Sequence, residues 1–249
     1  HQGIQAISLV GKKNTETELS QEILKPLIEK WKKSFDWDFG GMARAPKFMM
    51  PNNYEFLLRY GYQNQDAEVL DFVNLTLTKM AYGGLFDTVG GGFSRYSVDL
   101  KWHIPHFEKM LYDNGQLVSL YSNAYKKNKK PLYKEVIEKT LDFVTRELTN
   151  AEGGFYCAYD ADSLDQNNHL EEGAFYVWTK TELQQIIKED YYLFCVVFNI
   201  NDFGFWENDH YVLIQNQSLD AIAKTHKIEL SVLEEKKKVW EKLLFTARE

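Results

Sequence analysis

Along the 249 residues, apolar side chains recur at three- and four-residue spacing in at least five long windows, the signature of amphipathic helices rather than of alternating strands. The clearest are Ile23, Leu24, Leu27, Ile28, Trp31, Phe35 and Tyr133, Val136, Ile137, Leu141, Val144, Leu148. Leu70, Val73, Leu77 and Met80 form a stripe after Asp66, and Leu233, Val239, Trp240, Leu243 and Leu244 form another that opens with a Ser231-x-x-Glu234 capping box. A second capping box, Thr179-x-x-Glu182, starts a short helix. Pro105 suits a first helical position, which predicts a helix from there to about Asn128. Gly153 to Tyr159 and Ala174 to Trp178 read as short aromatic strands around a polar loop, a small β-hairpin extension. Glycine is clustered at Gly40-Gly41, Gly83-Gly84, Gly90-Gly91-Gly92 and Gly153-Gly154. That faint repeat, at roughly 45 to 60 residues, suits an array of helical hairpins whose loops need positive φ and close backbone approach. The pattern therefore predicts an all-α chain of stacked helix pairs, with the charged stretch Glu234 to Lys238 a solvated helix face.

Charge and composition narrow the partners. Lys and Arg number 29 against 36 Asp and Glu, a net −7, which disfavours nucleic acid because phosphate binding leaves a basic excess. Hydrophobic residues at 44% and charged residues at 26% exclude disorder, collagen-like repeats and coiled coil for the whole chain. Aromatics reach 15%, which fits a large aromatic-lined interior or cleft, with ordinary core packing as the alternative. Cys157 and Cys195 form no C-x-x-C and no metal-type spacing, which points to a reducing, cytoplasmic compartment and away from a thiol redox motif or Cys-based zinc site. No apolar run approaches the roughly 20 residues of a bilayer span, and the start His1-Gln2-Gly3 lacks the regions of a signal peptide. Absence of an initial Met and an end inside a helical pattern suggest a segment of a longer protein.

Chemistry concentrates in residues 83 to 114, GGLFDTVGGGFSRYSVDLKWHIPHFEKMLYDN. On a helix from Pro105, His106, Lys109, Met110, Asp113, Leu117, Leu120 and Ala124 share one face. His106 and Asp113 then head an otherwise apolar stripe, facing inward about 10 Å apart along the axis, suited to lining a cavity the size of a sugar ring. Glu108 falls on the polar arc. The alternative is a packing network in which neighbouring backbone and Arg95 satisfy both groups. Arg95 and Tyr96, after the triple glycine, offer a fixed cation and a hydroxyl donor; a structural salt bridge of Arg95 with Asp99 or Asp113 serves equally. Asp160 and Asp162 form a second carboxylate pair or simply cap a loop as Asx turns. His103-x-x-His106 lacks one-face geometry with Pro105 between, so no metal site is expected, and Gly90 to Gly92 lack the residues of a phosphate-cradling loop.

GGMARAPKF (Gly40 to Phe48), GGLFDTVGGGFSRYSVD (Gly83 to Asp99), PHFEKMLYDN (Pro105 to Asn114), GGFYCAYDADS (Gly153 to Ser163) and EGAFYVWT (Glu172 to Thr179) resemble the spermatogenesis-associated, thioredoxin-domain-containing proteins. The resemblance implies an α/α toroid of the six-hairpin type, similar to six-hairpin glycosidases and N-acylglucosamine 2-epimerases, preceded by a thioredoxin-like domain. Residues 1–249 would be the N-terminal part of the toroid, a partial barrel without that preceding domain or the C-terminal remainder. Arg95, Tyr96, Trp102, His106, Glu108, Lys109, Tyr112, Asp113, Asp160 and Asp162 match the family's motifs. Ser94 replaces the usual histidine, His103 an apolar residue and Gly115 an alanine.

Two functions compete. In a carbohydrate-active enzyme of epimerase or isomerase style, His106 abstracts a proton next to a carbonyl while Arg95 and Tyr96 stabilise the enolate. Asp113 completes the catalytic set, and Trp102, Lys109, Tyr112, Asp160 and Asp162 bind ligand. A glycosidase variant would pair carboxylates such as Asp113 and Asp160 across the scissile bond. Alternatively the barrel is a non-catalytic module presenting ligands or clients to the thioredoxin-like domain. Either way the expected partner is a small carbohydrate-like ligand, with no cofactor, metal, nucleic acid or membrane, and self-association of an incomplete toroid through exposed inner faces.

Overall fold

The computed structural model describes residues 21–165 and 168–248; the leading segment, read above as lacking a signal peptide, lies outside the described residues. The chain separates into two units, residues 1–34 and 35–249. In the first, a 3-10 turn at Gln21–Ile23 runs into α1 (Leu24–Lys32), which carries Leu24, Leu27, Ile28 and Trp31 at the expected spacing. The Ser34 amide and hydroxyl close its end by donating to the Trp31 carbonyl at 2.9 and 2.7 Å.

The second unit is built from helical hairpins. α2 (Pro51–Asn64) and α3 (Ala67–Tyr82) are joined by Gln65 and Asp66. The Asp66 carboxylate accepts from the Val69 amide at 3.1 Å, an N-cap that satisfies one of the orphan donors of the first turn. α4 (Leu111–Asn128) and α5 (Pro131–Glu147) are joined by Lys129 and Lys130; links this short make antiparallel neighbours. α2 packs on α3 and α4, and α5 on α3 and α4. Val69, Phe72, Leu77, Met80, Leu117, Tyr121, Tyr133 and Phe143 fill the space between them, each fully buried apolar side chain contributing about 1.5–3 kcal/mol. A second cluster follows: α6 (Lys180–Ile187), α7 (Tyr191–Phe198), α8 (Leu219–His226) and α9 (Leu230–Arg248) around Leu183, Phe194, Phe198, Ile222, Leu233, Trp240 and Leu244. The helix-rich reading with small antiparallel strand pairs holds, and among the described residues the hairpins do not close into a barrel. Among them, too, no helix is long and apolar enough to cross a membrane.

Strands are two or three residues long: β1 (Lys47–Phe48), β2 (Tyr96–Ser97), β3 (Pro105–His106), β4 (Lys109–Met110), β5 (Ala158–Tyr159), β6 (Asp162–Leu164), β7 (Leu170–Glu172), β8 (Trp178–Thr179) and β9 (His210–Tyr211). They pair as β1-β2-β3, β4-β5, β6-β7 and β8-β9, all antiparallel. Three expectations are corrected. The helix expected from Pro105 starts at Leu111, because residues 105–110 carry two short strands and are buried at every second position, the period of a strand. Pro105 sits in edge strand β3, where its missing N–H costs no ladder bond. The aromatic stretches 153–159 and 174–178 pair with β4 and β9 rather than with each other; the hairpin lies within the polar loop, as β6-β7. Ser231 lies inside α9, which begins at Leu230. At Thr179 the capping box is present: its hydroxyl accepts from the Glu182 amide at 3.2 Å, and the Glu182 carboxylate accepts from the Thr179 amide at 2.8 Å.

The glycine repeat is a repeated loop. Asp36, Asp87, Asn150 and Asn201, 51, 63 and 51 residues apart, each turn a side-chain oxygen back onto amides two to four residues ahead. In the first two loops the Gly40 and Gly91 amides donate to the Asp36 and Asp87 carbonyls, both at 2.8 Å. At φ 69° and 81°, Gly40 and Gly91 lie against the backbones of α3 at Thr76 and α5 at Lys139, where a Cβ would collide. Each loop is thus pressed onto a helix.

Candidate functional site

A cavity of about 420 Å³ opens between the 86–93 loop, β4, β5, β6, α5 and the end of α9. Its floor is Asp87. One carboxylate oxygen caps the loop, accepting from the Val89 and Gly90 amides at 3.0 and 3.1 Å. The other accepts from Lys109 Nζ at 3.0 Å and Arg248 Nη1 at 2.8 Å. Burial alone would raise the Asp87 carboxyl, but the charges of Arg248 and Lys109 and the loop amides hold it far below the ordinary range, so it stays ionised. Burial lowers the Lys109 ammonium, opposed by Asp87. Lys109 also donates to the Gly91 carbonyl at 2.8 Å and lies 4.5 and 4.7 Å from the ring centres of Phe143 and Tyr176, as cation–π contacts require.

Arg248 reaches this floor because α9 is pinned over the loop. Glu241 accepts from the Thr88 hydroxyl at 2.9 Å and from Lys139 Nζ at 2.7 Å, while Lys139 also donates to the Thr88 carbonyl at 2.8 Å. The Arg248 guanidinium then stacks among Phe175, Tyr176 and Trp178, 5.0 to 5.8 Å from their centres. Arg146, Glu147, Tyr159, Asp160, Asp162 and Phe175 form the upper walls. Arg146 donates to the Gly90 carbonyl at 2.6 Å and to Glu147 at 2.7 Å, and the Tyr159 hydroxyl donates to Glu147 at 3.4 Å.

The strand period divides the sequence-derived candidates. Lys109 points into the cavity with Phe107 below it, whereas His106 and Glu108 point to the other side. There His106 Nδ1 lies 2.7 Å from Glu172 and its Nε2 3.7 Å from Glu108. Arg95 donates to Glu108 at 3.0 Å, and Tyr96, the cross-strand partner of His106, stacks on its ring at 5.0 Å. Tyr112 and Asp113 adjoin Arg95. Burial pushes the Asp113 carboxyl up to about 6, with Glu108 adding to the rise and Arg95 opposing it. Arg95, Tyr96, His106, Tyr112 and Asp113 therefore meet in one outer cluster, and none of them lines the 420 Å³ cavity. Lys109, Asp160 and Asp162 do line it. The shared face for His106 and Asp113 is not formed, since only Asp113 is helical. Trp102 is buried elsewhere, donating to the Phe39 carbonyl at 2.8 Å and covering Lys47. His103 stacks on Phe203, apart from His106. Ser94 faces a recess of about 20 Å³ behind the floor, shared with Asp87, Tyr176 and Arg248.

Sequence reasoning passed over Asp87, Arg146, Tyr176 and Arg248. The match between Phe35-Asp36…Gly40-Gly41 and Phe86-Asp87…Gly91-Gly92 singles out Asp87. Nothing local signals Arg248, which meets Asp87 across 161 residues of chain.

No family model matches the chain. Human spermatogenesis-associated protein 20 is 45% identical over 160 residues, covering 62% of this chain and 20% of that protein; the mouse protein of the same name is 46% identical over the same length and shares. An uncharacterized Caenorhabditis elegans protein is 40% identical over 176 residues, 68% of this chain and 24% of its own length. The chain thus spans about a fifth of the length of the curated relatives it matches first. Among solved structures, a sugar epimerase from a ruminal bacterium aligns with a TM-score of 0.49 at 13% identity, over 89% of this chain and 68% of that one.

Proposed function

We propose that the 420 Å³ cavity binds a sugar-sized, polyhydroxylated ligand. Its volume lies within the roughly 300–1,000 Å³ of small-molecule sites. One observation carries the reading: the same walls combine aromatic rings (Phe143, Tyr159, Phe175, Tyr176) with hydrogen-bonding charges of both signs. Ring faces cover the apolar C–H surface of a pyranose; carboxylates accept from hydroxyls, while ammonium and guanidinium groups donate to ring and hydroxyl oxygens. Asp160 and Asp162 stand at the rim without the buried cations that tie up Asp87, so they are the hydroxyl acceptors in this reading. Among the described residues the cavity holds no imidazole, so the geometry favours recognition over proton abstraction by His106. Saturation-transfer NMR of the full chain with glucose, N-acetylglucosamine and glucuronate tests it. At least one sugar should receive saturation, and Asp160→Asn with Asp162→Asn should weaken its binding about tenfold, the loss of one or two charge-assisted bonds. No transfer to any of the three overturns the reading.

A second reading rests on Asp113. A carboxyl near 6 beside a guanidinium, a phenol and a second carboxylate suits general acid–base work. Proton transfer would then occur at the outer cluster, in the epimerase style. Incubation of an aldose in heavy water should place deuterium on the carbon beside the carbonyl, and Asp113→Asn should abolish it; incorporation that survives the substitution removes Asp113 from the reaction.

A further inference from the structure

The floor of the cavity carries an imbalance. Lys109, Arg248 and Asp87 side chains are 2, 5 and 8% exposed, so two cations and one carboxylate share a site shielded from water. In the equivalent loop Lys47 donates to Asp36 and to the Gly40 and Leu100 carbonyls, and Asp99 adds a second negative charge beside it, so its charge is more than matched. Among the described residues Arg248 has no counterpart there. Nearby, Arg146 is already matched by Glu147, and Asp160 and Asp162 are exposed at the rim. Buried unmatched charge is costly enough that folded proteins compensate it with a partner.

Arg248 itself brings an unused donor to that floor. The Nε–H of Arg248 is buried and finds no acceptor among the described residues, and neither does the indole N–H of Trp178, against which the guanidinium stacks. Both groups donate and cannot accept. An excess positive charge that carries an idle N–H donor asks for an anionic oxygen.

Resting on the cavity reading above, we infer that the ligand is an acidic sugar, a monosaccharide bearing a carboxylate or phosphate. Its anionic group sits on Arg248 and Lys109, and its hydroxyls face the rim carboxylates Asp160 and Asp162. The arrangement is polar along the cavity, cations deep and carboxylates shallow, so a neutral sugar leaves the floor unmatched and a free anion leaves the rim unused.

Isothermal titration of the full chain with glucose, glucuronate, glucose 6-phosphate and inorganic phosphate tests this. One of the two acidic sugars should bind at least about tenfold tighter than glucose, and its affinity alone should fall as KCl is raised. The preferred arm tells carboxylate from phosphate. Arg248→Gln should erase the preference while leaving glucose within about threefold. Should that variant fail to fold, Arg146→Gln at the more open wall should lower acidic-sugar affinity by severalfold more than glucose affinity, and an equal loss for both would overturn the inference. Glucose binding as tightly as both acidic sugars overturns the inference and leaves the cavity reading standing. Inorganic phosphate binding as tightly as glucose 6-phosphate also overturns it, since the sugar then plays no part. No binding by any of the sugars overturns the cavity reading itself.

Discussion

The loops at 35–42 and 86–93 begin from the same chemistry and end differently. Each pairs Phe with Phe or Met across a single bridge, caps itself with an Asp and buries a lysine under aromatic rings. Around Lys47 the assembly is sealed: Trp102 covers it, and a Cβ on Gly41 would meet the indole at 2.6 Å. Around Lys109 the covering rings, Phe143 and Tyr176, also wall the cavity, and Arg248 arrives as a second cation. The Asp–Lys pair is therefore a structural staple in both places. What distinguishes the candidate site is the gap above the staple and the added guanidinium. The Asn150 and Asn201 loops support this, because where no buried lysine must be neutralised an uncharged amide does the capping.

Asp87→Asn against Asp36→Asn is the largest test of that difference. Removing the charge of Asp87 leaves two buried cations without a counter-ion, at a cost of about 3–5 kcal/mol. Lys47 keeps two backbone carbonyls, so Asp36→Asn should cost about 1.5–3 kcal/mol. Urea denaturation measures both, and equal losses would mean that Arg248 adds nothing at the second loop. Acid should act in the same direction. A carboxyl held low by folding stabilises above its unfolded value near 4, and that stability drains as pH falls toward the folded value, so both loops weaken below about pH 4.

The anchoring of the loops gives the next contrast. Buried Asn114 accepts from the Phe93 amide at 2.7 Å and donates to the Phe93 and Met110 carbonyls at 3.1 and 2.9 Å. Thr76 makes a single bond to the first loop, accepting from the Gly41 amide at 2.9 Å. Asn114→Ala strands several buried backbone groups and should cost about 2–3 kcal/mol; Thr76→Val strands fewer and should cost about 1–1.5 kcal/mol. A reversed order would show the second loop to be the looser one.

Much of this fold could be read from the chain, and the reason is local. α3, α5 and the Thr179 cap follow from apolar spacing and capping chemistry within a few residues, and the glycine clusters mark the repeated loops. Pro105 misled because a proline opens helices and also sits in edge strands. The apolar–polar alternation from Pro105 to Glu108 carries the strand period, and the helix begins only at Leu111. That shift of six residues moved His106 and Glu108 off any helical face and onto the outer side of the strand. Of the candidate site, Lys109, Asp160 and Asp162 were visible in the sequence, while Arg248 and Tyr176 were not, since tertiary packing alone brings α9 and the β7–β8 segment to the floor.

Asp113, one residue from Asn114, points to the outer cluster and titrates with the opposite sign to Asp87. Folding raises it to about 6, so its contribution is whole below the unfolded value near 4 and is lost as pH rises through 6. Discounted for its partial exposure, the penalty at neutral pH is about 1 kcal/mol. Asp113→Asn should therefore match the parent near pH 4 and exceed it by about 1 kcal/mol at pH 7.5, read by urea denaturation at the two values. A gain of the same size at both pH values would trace to something other than the carboxyl's ionisation.

Gly115 sharpens the comparison at its smallest scale. It lies inside α4, one residue past the Asn114 anchor, and a Cβ there would meet nothing within 4 Å. An exposed helical glycine costs about 0.5–1 kcal/mol relative to alanine, through the freedom it keeps in the unfolded chain. Gly115→Ala should recover that amount and raise the melting temperature by about 1–4 °C in a unit of this size. The gain depends on the first turns of α4 being fully helical, the condition under which Asn114 holds the second loop rigidly. An unchanged or lowered melting temperature would mean that those turns fray. The 86–93 loop would then rest on a movable support, and its contrast with the sealed 35–42 loop would be one of rigidity as well as of charge.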